Sequence, residues 1–325
     1  MFSASIRMHL LVTGANGFIG KALVQRLLAG WPALDTLTLL DLAVDAPDDD
    51  RVRVLPGDLC DALLRARAFA APVDVVFHLA SLPGGATVKN PALGYQVNVG
   101  AMAALMEEAR GAASTAPVFV FASSIAALGA PLPDVVDDAT PPHPTSSYGA
   151  HKQIGEILLE DATRRGAIDG RAPRLPGIVM RPPAPAGLLS AFMSDLIRHA
   201  AEGRRYTCPV SPQAPVWIMS VPRVVDNLIH AARMPAPPAG APRAWTLPAL
   251  RVDMAELVRA VGAHRGRDVS ALIDYAPDAA LEAAFAAYPP LSVPASTALG
   301  FRDDGDAVAL VARALAADKD PLINA

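Results

Sequence analysis

Tyr148 and Lys152 stand four residues apart in the run YGAHK, so on a helix they share one face. A tyrosine phenol holds its proton up to a pH of about 10. An ammonium beside it favours the phenolate, which can then take the hydroxyl proton of an alcohol substrate. Upstream, in ASSIAALG, Ser124 offers a hydroxyl that can hold the substrate oxygen. By itself a Tyr-x-x-x-Lys pair is usually a surface pair. Its weight comes from a second motif, TGANGFIG, running from Thr13 to Gly20. Gly14, Gly17 and Gly20 follow an apolar strand and open a helix, the context that a dinucleotide-binding turn requires. Gly14 permits a tight turn, Gly17 lets the backbone approach a pyrophosphate, and Gly20 lets helix and sheet pack closely. The helix N-terminus attracts the phosphate charge. Asn16, Phe18 and Ile19 complete the expected cofactor contacts of this turn. Asp41 closes the next strand, where a carboxylate can bind the ribose hydroxyls and repel a 2′-phosphate; NAD is therefore the expected cofactor.

The elements that must position these groups are legible as apolar runs. Strands are expected at His9–Val12, Thr36–Leu40, Val52–Leu55, Val73–Leu79 and Val118–Ala122, with helices at Phe18–Ala29 and Ala101–Arg110 between them. Continuous apolar strands alternating with helices predict an α/β fold, a Rossmann-type doubly wound parallel sheet covered on both faces. The second half differs. Prolines cluster at Pro173–Pro185, Pro209–Pro222 and Pro235–Pro248, between helical patterns at Ser190–Ala201, Val224–Ala232 and Met254–Val261. Proline removes a backbone donor, so these stretches are expected to be irregular. The chain thus divides into an NAD-binding domain over residues 1–172 and a smaller, loop-rich α/β substrate domain over 173–325. Some segments of the latter are expected to return to the Rossmann sheet, with the domain lying over the sheet's carboxyl edge.

Composition excludes several other classes. Of 325 residues 52% are apolar, against the profile of a disordered chain. The net charge of -4 and the lack of a basic stripe argue against a nucleic-acid partner. Cys60 and Cys208 have neither zinc-ligand nor disulfide-scaffold spacing, so no metal is expected. The N-terminal MFSASIRMHLLVTG reads as a buried strand entering the glycine turn rather than a signal peptide. No run reaches the roughly 20 apolar residues of a membrane helix, and a cytoplasmic protein is the expectation.

Taken in order, TGANGFIG, LLDL around Asp41, GDL at Asp58, HLAS at His78–Ser81, Asn98, ASSIAALG and YGAHK resemble the extended short-chain dehydrogenase/reductases, the family of nucleotide-sugar epimerases and dehydratases. The resemblance implies that Asp58 and Leu59 flank the adenine, and that Leu79, Ala80 and Ser81 line the far end of the cofactor. It also puts Ala122 and Ser123 beside the nicotinamide, Asn98 near the lysine, and Pro176, Gly177 and Ile178 at the cofactor. Within it, Ser124, Tyr148 and Lys152 are the catalytic set; Tyr148 and Lys152 also touch the cofactor, and Ser124 and Tyr148 the substrate. His78 reads as a packed strand residue. A homodimer through helices that include the Tyr148 helix is also implied.

Departures from the family narrow the substrate. The Asp–Glu pair of dehydratases is replaced by Ile125 and Ala126, Val216 stands where epimerases carry a diphosphate-binding Arg, and Gly177 replaces a substrate-binding Asn. No second Arg of the R-R-x-G-D type is evident near Tyr275–Pro290. A buried diphosphate would lack cationic partners. The later segments RLPGIVMRPPAPAG and CPVSPQAPVWIMSVPRVVDNLIHAA resemble a subgroup that oxidises the C2 hydroxyl of a four-carbon sugar acid such as D-erythronate to a 2-oxo acid; the subgroup's Trp-Pro appears here as Tyr288–Pro289. A sugar acid needs a partner for its carboxylate, and the planar fork of arginine suits it. Arg181 is the candidate, with Arg174 and Arg223 as alternatives; Thr87 and Ser147 are candidates for hydroxyl contacts, and Gly84–Gly85 for a backbone approach. The competing reading is a nucleoside-diphosphate-sugar 4-epimerase with tightly bound NAD. A cofactor-binding protein without catalysis is a third class, and the intact Ser–Tyr–Lys set speaks against it.

Overall fold

The computed structural model describes residues 7–112, 115–183 and 189–318. They form two compact units. The first comprises the described residues up to Gly129, with Pro142–Arg174 and Leu228–Trp245; the second comprises Ala130–Pro141, the described part of Leu175–Asn227, and Thr246 onward.

The first unit opens with β1 (Met8–Thr13), α1 (Phe18–Gly30), β2 (Leu34–Asp41), β3 (Val52–Pro56), α2 (Ala62–Ala68) and β4 (Val75–His78). Then come α3 (Gly84–Lys89), α4 (Pro91–Tyr95), a π-helical turn (Gln96–Ala101) and α5 (Met102–Ala112). β5 (Val118–Phe121), β6 (Ser123–Ser124), α6 (Ser147–Arg164), β7 (Asp169–Leu175) and β8 (Ala244–Thr246) complete the sheet and its cover. The strands lie in the order β8-β7-β5-β4-β1-β2-β3, with β6 beside β7. Neighbours from β7 through β3 run parallel. Leu10, Leu11, Val12, Val76, Phe77, Phe119 and Val120 are buried, as strands covered on both faces must be. The chain leaves β1 in one direction for β2 and β3, then crosses to β4 on the other side. Such a reversal opens a crevice at the carboxyl ends of the two central strands. Those ends are Thr13 and His78, which pair in register and join through Thr13 Oγ1 and His78 Nδ1 at 2.7 Å.

The second unit is built on a three-stranded sheet, Leu250–Asp253, Pro215–Ser220 and Gly177–Val179 in that order, the first pair antiparallel and the second parallel. Helices Phe192–Glu202, Met254–Arg265 and Ala307–Asp318 share its core through Leu196, Ile197, Val216, Ile218, Leu257 and Leu310.

The expected irregularity of the proline clusters holds at residues 209–214 and 235–243 and is corrected at short stretches of strand. Each of the three clusters contains strand: the end of β7 and Gly177–Val179 in the first, Pro215–Ser220 in the second, β8 in the third. The prolines occupy places where a missing donor costs little. Pro215 opens its strand, and Pro222 sits in the first turn of the helix Val221–Arg233. Pro173 lies beyond Arg171, the last β7 residue in register with β5. Among the described residues no helix is long and apolar enough to cross a membrane.

Candidate active site

The glycine turn after β1 is closed by backbone. Gly14 has a φ of +72°, and a Cβ on it would fall 2.6 Å from the Ala80 nitrogen, in the loop that follows β4. At Gly20 a Cβ would fall 2.1 Å from the Gly14 carbonyl oxygen. That glycine therefore makes room for the turn itself, a closer constraint than helix–sheet packing. Gly17 is exposed and caps α1 in an extended conformation without a side-chain bond. The first turn of α1 carries no acidic residue, so its positive end is left for an anion. At the end of β2, Asp41 accepts from the backbone nitrogens of Asn16 (2.9 Å) and Leu42 (2.7 Å), one on each carboxylate oxygen. Each oxygen keeps a lone pair for a ligand hydroxyl. A cradle too tight for side chains, an uncompensated helix N-terminus and a carboxylate fixed at the second strand's tip fit a dinucleotide.

Two contacts beside this turn carry no signal in the sequence. Lys21 pairs with Asp45 at 2.9 Å, and Asn16 Oδ1 accepts from the Asp45 nitrogen at 3.3 Å, so the loop after β2 is pinned to the glycine turn. A fixed Asp41 beside a fixed loop predicts strong cofactor discrimination. Asp41→Ala is expected to reduce the preference for NAD over NADP by about tenfold or more, the scale of one lost charge-assisted contact. Dissociation constants for the two cofactors check this; an unchanged ratio would remove Asp41 from the ribose site.

The second part of the site is the start of α6. Ser146 caps it, its hydroxyl accepting from the Gly149 nitrogen at 3.1 Å. A Cβ on Gly149 would fall 2.2 Å from the Ala126 carbonyl oxygen, so only glycine allows α6 to lie against the turn that follows Ser124. Ser124 caps that 3-10 turn by accepting from the Ala126 nitrogen at 3.1 Å. Lys152 is buried. Its Nζ donates to the Ala122 carbonyl at 2.8 Å and lies 4.7 Å from the Phe121 ring centre and 5.4 Å from that of Tyr148. Burial lowers its pKa to about 7, opposed by the negative charge of Glu156. Ser124, Tyr148 and Lys152 thus gather where β5 and β6 meet α6.

Other candidates divide by their surroundings. Asn98 is buried in the π-helical turn and is spent on the loop after β4: its Oδ1 accepts from the Leu82 nitrogen (2.7 Å) and Ser81 Oγ (3.2 Å), and its Nδ2 donates to the Leu82 carbonyl (3.0 Å). It also meets Nδ1 of His151, the residue before Lys152, at 3.4 Å. Thr87 is fully buried and donates to the Leu82 carbonyl at 3.1 Å, so it faces the interior; this corrects its assignment to substrate contact. Ser147 is exposed at the first position of α6. A Cβ on Gly84 would fall 3.7 Å from the Tyr148 Cβ, and Gly84–Gly85 form the first turn of α3 rather than a loop, so it is the start of a helix that runs beside the tyrosine. Asp58 is exposed and Leu59 buried among core residues. His78 is stacked against Phe121, with its pKa lowered to about 3 by burial and then by Lys152, as befits a packed neutral ring.

Arg174 holds Glu156 through two parallel bonds, Nε to Oε1 at 2.9 Å and Nη2 to Oε2 at 2.8 Å, and is a structural ion pair. Arg223 stands 3.8 Å from Asp226. Arg181, in the second unit after the strand Gly177–Val179, has both backbone groups held by the helix Phe192–Glu202: its nitrogen donates to Ser194 Oγ at 3.0 Å, and its carbonyl accepts from Arg198. Pro176, Gly177 and Ile178 also belong to this unit, where Gly177 packs beside Met193. Tyr288 stacks on Trp217 with ring centres 4.8 Å apart, and the Pro289 carbonyl accepts from Trp217 Nε1 at 2.8 Å. Glu156 is not among the residues that the sequence motifs single out, although its spacing of four residues from Lys152 is the available signal.

Residues 10–217 match the NAD dependent epimerase/dehydratase family. The D-erythronate dehydrogenase of Cupriavidus necator is 38% identical over 307 residues, 91% of this chain and 94% of that protein. The D-erythronate dehydrogenase of Haemophilus influenzae is 31% identical over 92% of this chain and 96% of its own length. Among solved structures, a nucleoside-diphosphate-sugar epimerase from Agrobacterium tumefaciens superposes with a TM-score of 0.88 at 30% identity, over 98% of this chain and 96% of that one.

Proposed function

Because this chain belongs to the NAD dependent epimerase/dehydratase family, we propose that it oxidises the C2 hydroxyl of a short sugar acid of the D-erythronate type to a 2-oxo acid. The observation that carries the substrate class is the 38% identity to a D-erythronate dehydrogenase across nearly the full length of both chains. NAD is the cofactor of the family. Gly14, Asn16, Gly17, Phe18, Ile19 and Gly20 would hold its pyrophosphate and Asp41 its ribose. Asp58 and Leu59 would flank its adenine, and Leu79, Ala80, Ser81, Ala122 and Ser123, with Pro176–Ile178, its remaining length. When bound, it supplies the acceptor for the hydride that leaves C2.

The protein's own residues handle the proton. Tyr148 takes it from the substrate hydroxyl as the carbon–hydrogen bond breaks, and Ser124 holds the same oxygen in place. The Lys152 ammonium, 5.4 Å from the Tyr148 ring centre, favours the phenolate that accepts this proton. Arg181 pairs with the carboxylate, with Ser147 and the Gly84–Gly85 backbone available to the remaining hydroxyls. Two copies of the chain pair through α6.

A second reading, a nucleoside-diphosphate-sugar 4-epimerase with tightly bound NAD, is favoured by the likeness to the Agrobacterium structure. Against it stand Val216 and Gly177 at positions where that activity needs an arginine and an asparagine. The experiment that separates the two follows the fate of the hydrogen on the reacting carbon, with sugar acids and UDP-sugars supplied side by side. Transfer of that hydrogen to released NADH supports the dehydrogenase; its return to a UDP-sugar supports the epimerase.

A further inference from the structure

Below Lys152, α6 carries a second buried charge. Glu156 is 4% exposed and Lys152 3%, one helical turn apart on the same face. The Glu156 carboxylate does not spend its lone pairs on the lysine. Arg174, from β7, takes one on each oxygen, and Ser123 Oγ donates to Oε1 at 2.5 Å. Ser123 lies between Ala122, whose carbonyl holds the Lys152 ammonium, and Ser124, whose hydroxyl caps the following turn. One carboxylate therefore grips the short backbone run from which both catalytic hydrogen-bonding groups depart.

Resting on the dehydrogenase reading above, we propose that the chain Arg174–Glu156–Ser123 is a positioning device for the reaction: Glu156 fixes the Ala122–Ser124 backbone through Ser123 and supplies the countercharge that keeps the Lys152 ammonium beside Tyr148.

An ammonium removed from water loses its proton unless a negative charge faces it. Among the described residues, the titratable and charged groups recorded around Lys152 are Tyr148 and Glu156 on its own helix, His78 from β4, and Arg174 from β7 behind Glu156. His78 is neutral, so Glu156 is the anion among them. Arg174 cannot be dispensed with either. Without it the carboxylate would be buried with a hydroxyl as its remaining bonded partner, and would be free to turn toward the lysine and pull it from Ala122. With its two parallel bonds in place the carboxylate is fixed in plane and direction. Ser123 then transmits that fixed position to the strand end.

The test uses the whole protein and two variants. Glu156→Gln keeps the shape and removes the charge; Ser123→Ala keeps the charge and removes the link. The first readout needs no substrate: titration of the Lys152 side chain by NMR in the protein without cofactor. Glu156→Gln is expected to lower the Lys152 midpoint by about one unit or more, and Ser123→Ala to leave it within a few tenths. The second readout is turnover with NAD and the sugar acid. Ser123→Ala is expected to lower kcat about tenfold with KM for the acid near its parent value, because the ammonium stays charged while Ser124 and Ala122 lose their anchor. An unchanged Lys152 midpoint in Glu156→Gln overturns the countercharge role, and an unchanged kcat in Ser123→Ala overturns the positioning role. If Glu156→Gln fails to fold, the paired replacement Arg174→Met with Glu156→Leu removes the buried ion pair together and is read by the same titration, with a smaller fall of the midpoint expected because the nearer anion and the more distant cation leave together. Should no sugar acid be turned over by the parent protein, the substrate reading fails while the titration still decides the role of Glu156.

Discussion

Tyr148→Phe is expected to reduce NAD-dependent oxidation about a thousandfold in kcat, while NAD affinity stays within a few-fold of the parent. The substitution removes one oxygen and keeps both the Cβ beside Gly84 and the ring facing the Lys152 ammonium, so packing at the head of α6 survives. What would be lost, on the proposed mechanism, is the group that receives the substrate's proton. Positioned acid–base groups contribute on the order of a hundredfold to ten-thousandfold, and the middle of that range is taken for this tyrosine. His78 cannot replace it, being stacked on Phe121 with its Nδ1 occupied by Thr13. Nor can Ser124, because an aliphatic hydroxyl is a far weaker acid than a phenol. Steady-state kinetics beside calorimetric NAD binding separates the terms. A variant that turns over within tenfold of the parent would show that the proton leaves by another route.

Arg181→Ala is expected to raise KM for the sugar acid about a hundredfold, with kcat changed by no more than a few-fold and cofactor binding intact. A hundredfold corresponds to roughly 2.7 kcal/mol, within the range for cutting one partner from a hydrogen-bonded charge pair. The effect should fall on binding, since the carboxylate keeps its charge from ground state to transition state. Ser194 and Arg198 fix the Arg181 backbone from both sides, which leaves the side chain as the part a ligand would order. Arg181→Lys should recover part of the loss, as a point charge lacks the planar fork. Comparing the acid with its neutral amide checks the assignment independently: the variant should no longer distinguish them. If KM stays at the parent value, the carboxylate is held elsewhere, and Arg223 is then the arginine to replace.

Both variants probe groups that the amino-acid sequence alone points to, and the reason is local. Gly14, Gly17 and Gly20 act through their own backbone, and Tyr148 and Lys152 meet because a helix repeats about every four residues. Strand β1 and helix α1 are legible for the same reason, each carrying its pattern within a dozen residues. The strands inside the proline clusters are not. Whether Pro173 or Pro215 breaks a ladder depends on whether a neighbouring strand needs that donor, which is a fact of sheet order rather than of sequence. Thr87 misleads for a related reason. A threonine in a glycine-rich loop looks available, yet α3 turns it onto the Leu82 carbonyl. Glu156 is the clearest case. Its spacing from Lys152 is visible, but its meaning lies in Arg174 and Ser123, which reach it from two different strands. Asn98 shows the same dependence: its amide is held by the Leu82 backbone, a partner 16 residues away in the chain.

The central claim is that the hydrogen on C2 of a sugar acid passes to the cofactor and departs with it. The most direct measurement supplies D-erythronate carrying deuterium at C2, with NAD in excess, and follows where the deuterium goes by mass spectrometry, with UDP-sugars in parallel reactions. The expected result is NADH carrying one deuterium in its nicotinamide ring, matched by an equal amount of 2-oxo acid, and no change in the UDP-sugars. Deuterium retained on the acid, together with interconversion of a UDP-sugar and no net NADH, would contradict the dehydrogenase and identify an epimerase.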